Sequence, residues 1–200
     1  MSEHDTFEQL AWKRMEQAYE GFLRSLWREE LGCYVETQAA MLGKYHIYRN
    51  KHKNWDSGED RHRALRMVDY YLDPEHFGPR DWTGHPAGVW MTVRLLCLAY
   101  RYRKELGMPD TKAEAIRSML DKAIEAHLWT KGSSWHGNQE VYDFYLTDCW
   151  YAFRAFGEKK YWEWVLHFLE EIKQRYNRPR VDDVAGARQF RYLQRVPIAA

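Results

Sequence analysis

Apolar side chains recur every three or four positions along most of this chain, and runs that alternate with a period of two are few. That pattern predicts an all-α fold of about seven helices. Asp5 and Glu8 have capping-box spacing. Phe7, Leu10, Ala11, Met15, Ala18, Phe22 and Leu26 then share one face, which predicts a long amphipathic first helix reaching Gly32. A second helical stretch, from about Tyr34 to Tyr48, has a poorer period and is interrupted by Gly43. Ser57 and Asp60 open a third, with Ala64, Leu65, Val68, Tyr71 and Leu72 on its apolar face, and Asp73-Pro74 ends it.

The second half is more regular. Pro86 suits the first turn of a fourth helix containing Val89, Trp90, Val93, Leu96, Leu98 and Tyr100, which runs to Leu106 and is closed by Gly107 and Pro109. Thr111 and Glu114 cap a fifth, bearing Ile116, Met119, Leu120, Ala123, Ile124 and Leu128. A sixth spans Gln139 to Phe156 and stops at Gly157, and a seventh spans Lys159 to Tyr176. The short links at Gly107 to Asp110 and at Gly157 fold these four helices into two antiparallel hairpins. Val89-Trp90 matches Val141-Tyr142 and Cys97 matches Cys149, which suits stacked hairpins repeating near every ~50 residues. Chance similarity between two amphipathic helices explains the match equally well. From Asn177 to Ala200 the pattern dissolves into a segment containing Pro and Arg. The organisation read here is one helical domain, residues 1–176, with an extended C-terminal arm, residues 177–200.

Composition narrows the classes. An aromatic fraction of 16%, with ten Trp and fourteen Tyr, exceeds what a core needs, so much of it is expected to line a groove or meet a partner. Thirty basic and 29 acidic groups leave a net charge of +1, which supplies no overall field toward nucleic acid or anionic membrane. Cys33, Cys97 and Cys149 are odd in number and lack CxxC spacing, so they read as reduced, mostly buried thiols. The start, Met1 to Asp5, is polar and carries no apolar signal segment. The longest apolar-rich run, around Val89 to Tyr100, is broken by Thr92 and Arg94 and is too short to cross a bilayer. Cytoplasmic residence without membrane association is the resulting expectation.

The chemistry-bearing residues form three constellations. Trp82 and His85 precede the fourth helix, and Trp135, His136 and Asn138 precede the sixth. If those helices pack in parallel, the indoles and imidazoles share one end, with Tyr142 and Asp143 behind them. Indoles offer platforms for sugars or other rings, and imidazole transfers protons near neutral pH. Alternatively the indoles plug the ends of the bundle and the imidazoles cap helices. Second, Glu59 and His62 form one Glu-x-x-His, the spacing of carboxylate–imidazole metal ligands on a helix. A second such pair is missing from the sequence, and Glu59 falls in a first turn, where the helix dipole already favours an acid. Third, Lys44, Arg49, Lys51 and Lys53 alternate with Tyr45, Tyr48 and Trp55, a mixture suited to single-stranded nucleic acid. A solvated face with inward-packed rings accounts for the same segment and is preferred. Ser133 and Ser134 lie near His136 without a GxSxG elbow, and HExxH, GxGxxG and Walker patterns do not occur. No cofactor is expected.

Over Trp82 to Tyr176, the helical hairpins with Trp, His, Asn and Tyr near one rim resemble a portion of the α/α-toroid fold of polysaccharide lyases and related glycosidases. The likeness lies in architecture and residue types; seven helices do not close such a ring, and no membership follows. The aromatic surplus spread along the whole chain favours a helical interaction or accessory subunit that buries aromatic surface against a protein partner or another copy. The alternative is a small enzyme or ligand-binding domain with a Trp/His-lined pocket for carbohydrate or another ring-containing ligand.

Overall fold

The computed structural model describes residues 6–35, 39–82, 86–129 and 139–176. Within them lie helices α1 (Phe7–Gly21), α2 (Ala39–His52), α3 (Gly58–Leu72), α4 (Pro79–Trp82), α5 (Pro86–Arg101), α6 (Asp110–Trp129), α7 (Gln139–Phe156) and α8 (Lys159–Tyr176). A two-stranded ribbon, β1 (Trp27–Arg28) and β2 (Cys33–Tyr34), is the one sheet among the described residues. The all-α class holds. The arm, residues 177–200, lies outside the described residues.

Three helical hairpins stack side by side. Their first helices, α2, α5 and α7, form one layer with α5 in the middle, and α3, α6 and α8 back them. The contacts fix direction. Arg94 meets Asp148 at 3.2 Å and Tyr100 meets Phe156 at 4.7 Å between ring centroids, so α5 and α7 run parallel. Tyr145 stacks on Phe168 at 5.6 Å while Phe156 meets Tyr161 at 5.8 Å, so α7 and α8 run antiparallel. Lys112 bridges α6 to Asp69 of α3 at 2.5 Å, and Lys160 joins α8 to Asp121 of α6 at 2.9 Å. Ile47, Met67, Leu95, Leu96, Ile116, Leu120 and Phe168 are buried between the layers. Each such side chain contributes about 1.5–3 kcal/mol relative to exposure.

The departures from the sequence reading lie mostly in the first half. Helix α1 is capped by Thr6 and Gln9, whose side chains bond reciprocally to each other's backbone, one position later than the predicted box. It ends at Gly21, not Gly32. Phe22 leaves the helix at φ −143°, and Leu23–Leu26 form a 3₁₀ turn that keeps the apolar spacing without continuing the helix. Gly32, at φ +66°, closes the turn between β1 and β2, a conformation that favours glycine. Helix α2 begins at Ala39, not Tyr34, and continues past Gly43 to His52. A Cβ on Gly43 would stand 2.8 Å from both Leu95 methyls and 3.2 Å from the Met67 sulfur. The residue read as an interruption is therefore where α2 packs closely against Leu95 of α5 and Met67 of α3. Helix α5 stops at Arg101, short of Leu106, and a series of turns carries the chain to Gly107 at φ +65°. The short helix α4 was not predicted.

Candidate functional site

The densest polar cluster among the described residues lies where α1, β2, α2 and α3 meet. Tyr19 comes from α1, Tyr34 from β2, His46 and Arg49 from α2, and Glu59, Asp60 and Arg63 from α3. Ser57 starts α3 by accepting the Asp60 backbone N–H, which sets Asp60 in the first turn facing α2. His46 Nδ1 lies 2.7 Å from Asp60 Oδ1, and His46 Nε2 lies 2.5 Å from Tyr34 Oη. The Tyr34 hydroxyl is 3.2 Å from that of Tyr19, and Arg63 Nη1 donates to both, reaching Tyr34 at 2.9 Å. Arg49 Nε stands 3.2 Å from the second oxygen of Asp60, and Arg63 Nη2 pairs with Glu59 at 3.0 Å.

Burial determines the protonation states. It pushes the His46 pKa below the usual imidazole range, and Arg63 and Arg49 add to that effect while Asp60 opposes it. Burial raises Asp60, yet hydrogen bonds from His46 and Ser57 and the charges nearby outweigh it and hold the carboxyl below its ordinary value. Burial also raises Tyr19 and Tyr34, so both phenols stay protonated at neutral pH. One hydrogen-bond order satisfies these states: Tyr19 donates to Tyr34, Tyr34 to neutral His46 Nε2, and His46 Nδ1–H to the Asp60 carboxylate.

A phenol–imidazole–carboxylate chain has the donor set of an acid–base relay. Tyr19, His46 and Asp60 are 0% exposed, however, and Tyr34 is buried as well. In this conformation the chain is a clamp that joins four elements. The sequence reading missed it, although a signal was present. Asp60 and Arg63 lie on the same helical stripe as Ala64, Met67 and Val68, and charges on an apolar stripe mark buried polar partners.

The predicted site residues are distributed as follows. Trp82, half-buried, ends α4 near Phe77 at 6.4 Å. The parallel packing of α5 and α7 brings Pro86 and Gln139, their first residues, to one end of the bundle. His85, Trp135, His136 and Asn138 lie outside the described residues, as do the side chains of Tyr142 and Asp143 near the start of α7. Glu59 faces Arg63, Arg24 at 3.5 Å and Arg49 at 3.8 Å, whereas His62 turns to Glu29 at 2.9 Å. Among the described residues no group of three or more His, Cys, Asp or Glu is placed to hold a metal ion.

The basic segment divides between interior and surface. Arg49 is buried against Asp60, and Tyr45 packs on Tyr19 at 5.2 Å. Lys44 is half-buried beside Trp90, and burial, reinforced by Arg94, pulls its ammonium down to about 8. Trp55 packs on Tyr102 at 5.0 Å, and Lys51 donates to the Tyr102 hydroxyl at 3.0 Å. Lys53 stands 3.5 Å from Glu16, and Tyr48 is exposed. Cys33, Cys97 and Cys149 are free and buried. None of the described helices is long and apolar enough to cross a membrane. In comparison with known proteins, no family model matches this chain, and neither the curated proteins nor the solved structures yield a match.

Proposed function

We propose that this protein is a helical interaction subunit that buries apolar and aromatic surface against a protein partner or a second copy of itself. One observation carries the reading: large apolar side chains stand in solvent as stripes along helices rather than singly. On α1, Phe7 is 88% exposed and Met15 41%, and Phe22, just past the end of the helix, is 62% exposed. On α8, Leu166 and Leu169 are exposed beside half-buried Trp162, next to the stripe of Tyr161, Val165, Phe168 and Ile172 that packs inward. Ordered apolar stripes of this kind mark contact surfaces, whereas scattered exposed leucines do not. The buried clamp supports the same reading, because its acid–base groups reach no solvent.

The test is site-specific photocrosslinking in the cells that make the protein, with the crosslinker at position 15 or 166. Adducts of discrete mass at those positions, and none at exposed Lys122, are the expected result. Chains that yield no adduct from either stripe refute the proposal. A second reading, a ligand-binding domain with a pocket ahead of α5 and α7, draws support from their parallel packing. It requires Trp82→Phe and Trp135→Phe to weaken fluorescence quenching by an oligosaccharide or other ring-containing ligand. Unquenched emission from the natural chain across such ligands refutes that alternative.

A further inference from the structure

The layer of first helices carries a cluster of charges and rings separate from the exposed stripes of α1 and α8. Each helix contributes two residues one turn apart: Lys44 and Tyr48 from α2, Trp90 and Arg94 from α5, and Asp148 and Tyr151 from α7. Both cations lie against one indole. Arg94 Cζ is 4.0 Å from the centroid of the Trp90 ring, and Lys44 Nζ is 5.7 Å from it. Arg94 Cζ is also 5.8 Å from the ring centroid of Tyr151, and Tyr48 lies close enough to Tyr151 for their hydroxyls to interact.

The charge of this cluster does not balance. Asp148 accepts the Arg94 Nε–H at 3.2 Å. The terminal nitrogens of Arg94 and the ammonium of Lys44 hydrogen-bond to no acceptor among the described residues. Two cations against one anion leave one positive charge in excess on a half-buried surface. Burial, reinforced by Arg94, pulls the Lys44 ammonium down to about 8, so this lysine costs the fold stability at neutral pH. Perturbed groups of that kind cluster at functional sites.

We propose that this cluster binds a ring-bearing carboxylic acid, its carboxylate on Arg94 and Lys44 and its ring on Tyr48. The guanidinium, held by Asp148 through Nε and by the indole, keeps two terminal N–H groups for a carboxylate, the planar fork that such an anion fits. The Lys44 ammonium, on a flexible stem, faces the same anion. One negative charge matches the excess of one positive charge, whereas a phosphate monoester, close to two negative charges, overshoots it. Tyr48, 37% exposed, offers a ring face one turn beyond Lys44. Sugar acids and aromatic acids share this chemistry. The inference stands apart from the interaction reading and uses none of the residues of its stripes.

The experiment is calorimetric titration of the full chain with glucuronate and with benzoate, beside neutral glucose and benzamide and inorganic phosphate. Ligands of this size bind with a dissociation constant of about 1 mM. At least one of the two acids should bind in that range and its neutral counterpart should not. Glucuronate alone identifies a sugar acid, and benzoate alone an aromatic acid. Lys44→Met, with unchanged circular dichroism, should weaken binding at least about tenfold, and Tyr48→Ala at least about threefold. Affinity should fall between pH 7 and about 9.5 in the natural chain, as Lys44 loses its proton, and stay level in Lys44→Met. The charges that face Lys44 from its neighbours are Arg94 of α5 and Asp148 of α7, and both variants retain them. No binding of either acid up to about 20 mM, equal binding of the neutral compounds or tighter binding of phosphate overturns the proposal. So does an affinity that Lys44→Met or Tyr48→Ala leaves unmoved.

Discussion

Acid should loosen this protein through one identifiable imidazole. His46 is neutral in the fold because it is buried between Tyr34 and Asp60 beside two guanidinium groups, whereas in the unfolded chain it titrates near its ordinary value of 6.5. As pH falls below about 6.5 the unfolded state binds a proton that the folded state does not, so stability drops on the acid side. One proton corresponds to about 1.4 kcal/mol per pH unit, so the loss steepens toward that slope for as long as His46 stays neutral in the fold. Asp60, held below its ordinary value of 3.8, adds its loss only at lower pH. The assay is urea unfolding followed by tryptophan fluorescence at half-unit steps from pH 8 to 4.5, for the natural chain and His46→Gln. The variant should be less stable at pH 8 by about 1.5–3 kcal/mol, since it breaks hydrogen bonds to a carboxylate and a phenol. Its stability should then decline less steeply with acid, so the two curves converge toward pH 5. A double-mutant cycle with Asp60→Asn should return a coupling of at least about 1 kcal/mol, as befits side chains 2.7 Å apart. Parallel curves between pH 6.5 and 5 would show that His46 is not held neutral. A coupling under about 0.5 kcal/mol would show that the clamp does not hold its elements together.

Two further substitutions probe the packing. Lys44, pulled down to about 8 from 10.5, penalises the fold below pH 8, and the penalty fades as pH rises to 10.5 because only the unfolded chain still binds the proton in that window. Lys44→Met should therefore stabilise the protein at pH 7 by about 1–3 kcal/mol, with the gain shrinking by pH 10.5; a gain that ignores pH contradicts this account. Gly43→Ala should lower the thermal midpoint, since overpacking against buried Leu95 costs about 1–3 kcal/mol and the better helix propensity returns at most about 1. An unchanged or higher midpoint would mean that α2 and α5 have room to part.

The helices of the second half were legible because punctuation and period agree. Gly157 at φ +74° and the start of α8 at Lys159 fall where the residues announce them, and the buried Tyr161, Val165, Phe168 and Ile172 follow a plain helical stripe. The region from Phe22 to Tyr34 was not, since strands of two residues have no period to detect, and Leu23 and Leu26 keep helical spacing while packing from a 3₁₀ turn. The short links fix the direction of the helices within each hairpin, but the parallel packing of α5 on α7, a condition at the level of sequence, is settled by the contacts of Arg94 with Asp148 and of Tyr100 with Phe156. The clamp was not legible, because it joins residues from Tyr19 to Arg63 through long-range contacts that local spacing does not encode. Glu59 and His62 share a local spacing yet face different partners, so spacing alone named a pair that the fold separates.

Helix α1 has a single fully buried side chain, Tyr19, and that side chain is held by hydroxyl and guanidinium bonds. Polar anchoring of this kind lets the helix detach as a local unfolding unit while the three hairpins keep their shared interior. Its amides should exchange with deuterium ahead of those in α5 and α7, and limited proteolysis should cut the chain near Phe22 before it cuts within α5 or α7. Acid, by protonating the imidazole beneath it, would turn that opening from a rare fluctuation into a populated state.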